Sequence, residues 1–531
     1  MSRSQGGADG VGEDRLRRVV LASALGTIFE WYDFFIYGTL AGIFGKLFFP
    51  AASATAGFLL ALATFGAGFA IRPLGAIVFG HFGDRVGRKY TFLVTITLMG
   101  FATAAIGLLP TYASIGILAP ILLVALRLVQ GFAVGGEYGG ASIYVAEHAP
   151  RYRRGFYTCF IQMGPPAALI MTLLVSMAAI GIVGEGAWDV WGWRIPFIVS
   201  MPLLAFSLWM RFKLAESPVF QAMKEAGGMV RNPLLESVNS WSKIRLLIAA
   251  LFLSAGQAVL GFTLLFRTVY FLHDVLHVPA ATARLVVAVG TLTAFPPYFA
   301  GAWLSDRYGR KRLTVVAYAV AVLTLFPGLH LIADHANPRL TAAWRERPVV
   351  VSGGDCRYDP FAAPGEQTTC GRVLDLLSTK GIAYSTTAGP SGAPPVVTIG
   401  GEAVDIADAR TFDERLALAG HSSDPVALTA GAAAVIVLAM ALLYLGGGCA
   451  YGAMGAWLVE LFPSRTRYTS LSIPYHLGSG VIGGFMPLIS QYIVARTGDP
   501  FAGFWYAFVI TVLALLASAC FLPETAGREL D

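Results

Sequence analysis

The sequence predicts an all-α membrane protein of twelve transmembrane helices in two six-helix halves. A small α/β domain is inserted outside the membrane between helices nine and ten. Three observations predict this. The 531 residues are 56% hydrophobic and 13% charged, with a mean hydropathy of +0.65, whereas soluble domains are about a quarter charged. Apolar runs of bilayer-crossing length, about 20 residues, recur along the chain. Two pairs of charged loop motifs recur as well, which marks an internal repeat.

The apolar runs cover 19–45, 55–79, 91–109, 114–143, 156–182, 194–212, 246–270, 283–304, 313–332, 428–457, 469–494 and 502–522. Their tight connections fall at Gly, Pro and charge clusters. Arg15, Arg17 and Arg18 precede the first run, as in a signal peptide. The run continues through charged residues to Phe49 with no small-residue cleavage site, so it reads as a retained span. Lys46 and Arg496 are the only basic residues of the short loops on one side. Basic residues cluster in the loops and tails of the other side, which the positive-inside rule places in the cytoplasm.

The division that follows is a cytoplasmic tail (1–18), a six-helix half (19–212), a cytoplasmic linker (213–245), helices seven to nine (246–332), the inserted domain (333–427), helices ten to twelve (428–522) and a cytoplasmic tail (523–531).

DRVGRK (84–89) returns as DRYGRK (306–311), an offset of 306 − 84 = 222. EHAPRYRR (147–154) pairs with ELFPSRTR (460–467), an offset of 460 − 147 = 313. The excess of 313 − 222 = 91 residues matches the polar block 333–427. That block holds eight Lys/Arg against twelve Asp/Glu.

GHFGDRVGRK (80–89) and its echo resemble the signature of the major facilitator superfamily. EWYDFFIYG, RPLGAIVFGHFGDRVGRK, RLVQGFAVGGEYGGA, WGWRIPF, LAESPVF and ELFPSRTRYTS resemble its metabolite:proton symporter branch. That branch includes shikimate, 2-oxoglutarate, citrate and proline/betaine carriers. The resemblance covers nearly all of the chain except 333–427 and the far N-terminus. It implies the major facilitator fold and a multi-pass carrier of the bacterial inner membrane with cytoplasmic termini. It implies a small-molecule substrate, the proton as coupling ion, and no other cofactor, metal or nucleic acid. The spans show no metal cluster or catalytic triad, so no enzyme activity is expected.

Glu30 and Asp33 share one face of the first span. A charge at mid-bilayer costs about 2.5–3.5 kcal/mol or more. Arg72, Arg127, Arg194, Arg267 and Arg284 lie within or at the edge of spans. The resemblance implies that spans one and four line a central cavity, which brings Glu30 and Asp33 toward Arg127. One reading has Asp33 or Glu30 accept the coupling proton while Arg127 binds an anionic substrate. The other is a permanent Arg–carboxylate bridge. Intramembrane ionisable groups are functional by default, which favours the first. Glu137 reads either as a proton relay or as a partner of Arg72 or Arg85. Arg267 reads as snorkelling outward, and Arg194 and Arg284 as interface anchors. Tyr32, Gln130, Gln162, Gln257, Tyr298, Tyr451, Tyr475 and His476 are polar groups on cavity-lining spans. Each is either a substrate contact or an interhelical hydrogen-bonding residue.

Asp84, Arg85, Arg88 and Lys89 in one half, and Asp306, Arg307, Arg310 and Lys311 in the other, form the candidate cytoplasmic gate. Asp84 suits the positive N-terminal end of span eleven and Asp306 that of span five. Glu147 and Glu460 can pair with the arginines.

Within the insertion, PVVVSGG and IAYST read as strands, and CGRVLDLLSTKG and ARTFDERLALAG as helices. PVVTIGGEAVDI reads as a hairpin across Gly-Gly. Cys356 and Cys370 are a disulfide candidate, whereas Cys159, Cys449 and Cys520 read as inert core thiols. The domain is either an accessory, substrate-capturing or partner-binding element, with no partner identified, or a passive insert.

The expected activity is proton-coupled import of a mono-, di- or tricarboxylate. A zwitterion such as betaine comes second, because the sequence lacks the long C-terminal coiled coil typical of the osmosensing carriers. Proton-antiport efflux, and a transport-dead membrane sensor using the outer domain, are the remaining readings.

Overall fold

The computed structural model describes residues 6–530 apart from 51, 87, 137, 213–232, 363–365, 391–392 and 407–408. For 6–15, 18, 80–89, 92, 138, 211–212, 233–234 and 409 it describes the backbone alone at most.

Among the described residues, 10 helices are long and apolar enough to cross a membrane. Two shorter apolar helices, Leu93–Leu108 and Phe504–Cys520, accompany them. The first of these is the apolar part of Arg88–Leu108, whose opening turn is charged; the second has 17 residues. Leu, Val, Ala and Phe dominate these runs, and lipid leaves the backbone no partner but its own helix. Ser53 and Thr429 start two spans by accepting the backbone N–H groups of Ala56 and Ala432.

Helix Gly6–Thr39 packs on Gly164–Val183 and Ile195–Phe212 in the N-terminal half. In the C-terminal half, Arg310–Ala336 packs on Ala430–Leu461, and Trp241–Phe262 on Phe504–Cys520. Small residues allow the closest approaches. Gly131 lies on the Gly68 carbonyl and Gly452 on the Tyr298 carbonyl, where a Cβ would collide. Two spans are irregular: π-helical turns occupy Thr263–Arg267 and Phe271–Val275 in one and His476–Gly483 in the other. Such turns free backbone groups and are frequent at functional sites.

Between helices Arg310–Ala336 and Ala430–Leu461, the chain forms a four-stranded sheet, β1 (Val349–Gly353), β2 (Ser385–Ala388), β3 (Val396–Ile399) and β4 (Glu402–Val404). Its order is β2-β1-β3-β4, parallel between β1 and β2 and antiparallel elsewhere. Gly400 and Gly401, at φ 59 and 89, make the tight β3–β4 turn that a Cβ would strain. Helices Thr369–Thr379 and Ala409–Leu418 cover the sheet. Val351, Val397, Leu374, Leu377, Phe412 and Leu416 belong to its separate core. Cys356 and Cys370 are bonded, with Cα atoms 4.8 Å apart.

Candidate functional site

A cavity of about 30 Å³ lies between the two halves, enough to hold ordered water. Trp31 and Phe35 wall it from the first helix, and Gln257, Tyr298, Tyr451 and Tyr475 from the C-terminal half. The Tyr298 and Tyr451 rings meet edge to face at 5.4 Å. Gln257 Oε1 is buried without a hydrogen-bond partner. Of the polar candidates, Gln257, Tyr298, Tyr451 and Tyr475 line the cavity. The wall offers ring faces, hydroxyls and one amide, and no charged side chain among the described residues.

The expected N-terminal residues form a different constellation. Asp33 and Arg127 are both buried. Arg127 Nη1 donates to Gln130 Oε1 at 2.8 Å, and Gln130 Nε2 donates to Thr103 Oγ1 at 2.6 Å. The same Thr103 hydroxyl lies against the Asp33 carboxyl. A hydrogen-bonded chain Arg127–Gln130–Thr103 thus runs through the N-terminal half and ends at the Met99 carbonyl, beside Asp33. Glu30, one turn earlier, is half-buried.

Arg127 is not on the wall of the central cavity. Its guanidinium lies over the rings of Phe34 (4.5 Å), Tyr37 (4.4 Å) and Phe65 (5.4 Å). Among the described residues no carboxylate stands within 4 Å of it, and Nε and Nη2 have no hydrogen-bond partner. Ring faces supply the attraction that a carboxylate was expected to give.

Other candidates also sit off the cavity. Tyr32 donates to the Pro196 carbonyl at 2.9 Å, which ties two helices of one half. Gln162 is buried against Gly455. His476 is buried beside Tyr475, with neither ring nitrogen hydrogen-bonded. Arg267 does not snorkel: it is buried over Phe504 at 4.9 Å and donates to the Pro500 carbonyl at 3.2 Å. Arg194 donates to the Leu109 carbonyl at 2.9 Å and lies on Trp193.

At the loop-motif end a charge cluster joins the halves. Asp306 accepts the Gly155 and Phe156 N–H groups, each at 2.9 Å, and so caps the helix after Arg154. Arg310 Nη1 meets Asp306 at 2.7 Å, and its Nη2 meets Glu460 at 3.1 Å. Arg154 reaches Glu460 at 3.7 Å, and Arg467 reaches Glu147 at 3.4 Å. Arg307 departs from the expected gate: it lies exposed on Trp303 and Tyr308 of its own helix. Lys311 enters through its backbone, whose N–H donates to Glu524 at 3.1 Å. The side chains of Asp84, Arg85, Arg88 and Lys89, and the whole of Glu137, lie outside the described residues.

At the opposite end, aromatic rings shut the cleft: Phe35 meets Phe266 at 4.9 Å, and Tyr270 donates to the Gly38 carbonyl.

Sequence reasoning missed Thr103, Arg154, Glu524 and Thr525. Glu524 accepts the Arg310 N–H at 2.8 Å, and Thr525 donates to Glu460 at 2.8 Å. Arg154 was visible in the RYRR cluster, and Glu524 in an acid just after the last span.

A family model described as Major Facilitator Superfamily matches residues 19–344. The shikimate transporter of Escherichia coli (strain K12) is 41% identical over 322 residues, 59% of this chain and 72% of the relative. The proline/betaine transporter of Salmonella typhimurium is 29% identical over 522 residues, 98% of this chain and 86% of the relative. The proton:xylose symporter XylE bound to 6-bromo-6-deoxy-D-glucose has a similar fold, at TM-score 0.64 and 16% identity, over 98% of each chain.

Proposed function

We propose, for a chain that belongs to the Major Facilitator Superfamily and is a multi-pass membrane transporter, proton-coupled import of a small organic acid by alternating access of its halves around the central cavity. In this reading Leu93–Leu108 and Phe504–Cys520 complete twelve crossings. Both termini are cytoplasmic in a bacterial inner membrane, and the sheet lies outside between the ninth and tenth crossings. The arginines at the loop-motif end support that orientation.

The observation that carries the reading is Arg127, a buried guanidinium with two unpartnered nitrogens. A buried cation held by ring faces and an amide, with no carboxylate against it, is costly, and such a group inside a membrane marks a working site. Asp33, beside Thr103 at the end of the Arg127–Gln130 chain, is the proton acceptor. Neutralising Asp33 removes a negative charge from the N-terminal half and makes its interior more positive, and an anion in the central cavity then offsets that charge. The charge acts across the ring wall, because a low-dielectric interior screens little. Proton and anion therefore bind together, which is the linkage a symporter needs.

A wall of hydroxyls and one amide supports a monocarboxylate over a di- or tricarboxylate. A second reading has its own support: the ring faces of Trp31, Tyr298 and Tyr451 suit a quaternary ammonium group, and the proline/betaine relative matches 98% of the chain. Uptake into proteoliposomes under an imposed pH gradient tests both. Monocarboxylates should accumulate and compete with one another. Accumulation of betaines alone would favour the second reading, and no response of any uptake to the gradient would refute proton coupling.

A further inference from the structure

A second cavity, of about 860 Å³, lies between the sheet domain and the adjacent helix ends. Lys46 and Phe58 wall it from the N-terminal half, Asp274 and Gln491 from the C-terminal half, and the segment 378–384 of the sheet domain roofs it. Its size suits a small metabolite, since ligand sites commonly span about 300–1,000 Å³.

The roof is attached unequally to the two halves. On the C-terminal side, Tyr384 donates its N–H to the Gly498 carbonyl at 3.1 Å and its hydroxyl to the Ala495 carbonyl at 2.8 Å. Val426 N–H donates to the His277 carbonyl at 2.9 Å. Ala495, from helix Met486–Thr497, is part of the sheet domain's own core. A shared core makes the domain and that helix move as one body. On the N-terminal side, Thr379 meets Thr55 through hydroxyls 3.5 Å apart, at the limit of a hydrogen bond. Thr55 opens helix Ala54–Ala70, and Thr379 ends helix Thr369–Thr379.

We propose that the sheet domain is a lid carried by the C-terminal half over an outer antechamber, and that solute enters when the Thr55–Thr379 seam parts. This rests on the transporter reading and on the sheet lying outside. When the halves rock apart on that side, a body fixed to one of them must separate from the other at its weaker contact, which is this seam. The antechamber then holds solute between the lid and the aromatic closure of Phe35 and Phe266.

The test is the double variant Thr55→Cys/Thr379→Cys in proteoliposomes, assayed with labelled shikimate and glycine betaine before and after oxidation. Both single variants, treated identically, control for the native Cys356–Cys370 bond. Cross-linking should abolish the uptake that the reduced double variant shows, and reduction should restore it. Undiminished uptake after a complete cross-link, or failure of the pair to cross-link, overturns the lid. Gln491→Cys, on the cavity wall where the Gln491 side-chain oxygen is buried, gives a second readout. A membrane-impermeant thiol reagent should modify it slowly at rest and faster during net uptake, and fast labelling at rest also overturns the lid. If the wild type carries neither solute while the seam still cross-links and Gln491→Cys stays protected, the substrate reading fails and the lid stands.

Discussion

Arg310 and Glu460 are joined by two hydrogen bonds, Nη2 to Oε1 at 3.1 Å and Nε to Oε2 at 3.2 Å, in a site where both side chains are buried. Arg154 of the other half reaches the same carboxylate. One acid therefore holds two arginines from opposite halves at the loop-motif end, so separating the halves there must break the Arg154 contact and expose the rest.

Glu460→Gln should weaken that closure strongly. Removing one partner of a buried ion pair costs about 3–5 kcal/mol, because the remaining charges lose compensation. The melting temperature in detergent should fall, and cysteines placed near Arg154 should label faster. An unchanged melting temperature together with unchanged labelling would contradict the assignment.

Thr103→Val keeps the side-chain shape and removes the hydroxyl that accepts from Gln130 beside Asp33. A buried donor left without its acceptor costs about 1–3 kcal/mol. The expected signature is an altered pH dependence of uptake with expression preserved. A shift in stability alone, with the pH profile intact, would make Thr103 merely structural.

Gln257→Ala and Tyr298→Phe should raise the half-saturating solute concentration. A neutral hydrogen bond contributes about 1 kcal/mol, roughly fivefold in affinity. Equilibrium binding by both variants should show this loss, and wild-type affinity in both would remove the central cavity as the solute site.

The sheet domain should lose stability in mild acid. His421 is buried, its Nε2 donates to the Arg347 carbonyl at 2.7 Å, and burial pushes its imidazole below the usual range. Above about pH 6.5 the folded and unfolded forms are both neutral there. Below that the unfolded chain alone takes the proton, so folding is disfavoured as pH falls. Limited proteolysis of the intact protein should open the domain sooner at acidic pH in the wild type, and His421→Gln should flatten that dependence. Breaking the Cys356–Cys370 bridge, whose cysteines are 14 positions apart, should cost about 3 kcal/mol in the chain-entropy model and make the same region more protease-sensitive.

The apolar runs were legible because lipid requires them, and the repeated DRxGRK motif pointed to Asp306 as the cap on the helix after Arg154. The surroundings of Arg127 were not legible. Phe34, Tyr37 and Phe65 come from two helices, and nothing in a local pattern announces that ring faces replace a carboxylate. Thr103 was hidden in an apolar run, where a hydroxyl usually bonds its own helix, as this one also does to the Met99 carbonyl. In the sheet domain the Gly400-Gly401 turn followed from composition. The strand expected at IAYST lies later, at Ser385–Ala388, because Ile382 and Tyr384 are drawn into the core and Tyr384 bonds Gly498 instead of a strand.

Asp33→Asn in proteoliposomes tests the central claim most directly, with pH-gradient-driven uptake and solute counterflow measured on the same preparation. Coupling through Asp33 predicts that the variant loses accumulation driven by the gradient and retains exchange of solute across the membrane. Accumulation at the wild-type level in Asp33→Asn would contradict the account, because the proton would then enter by another group.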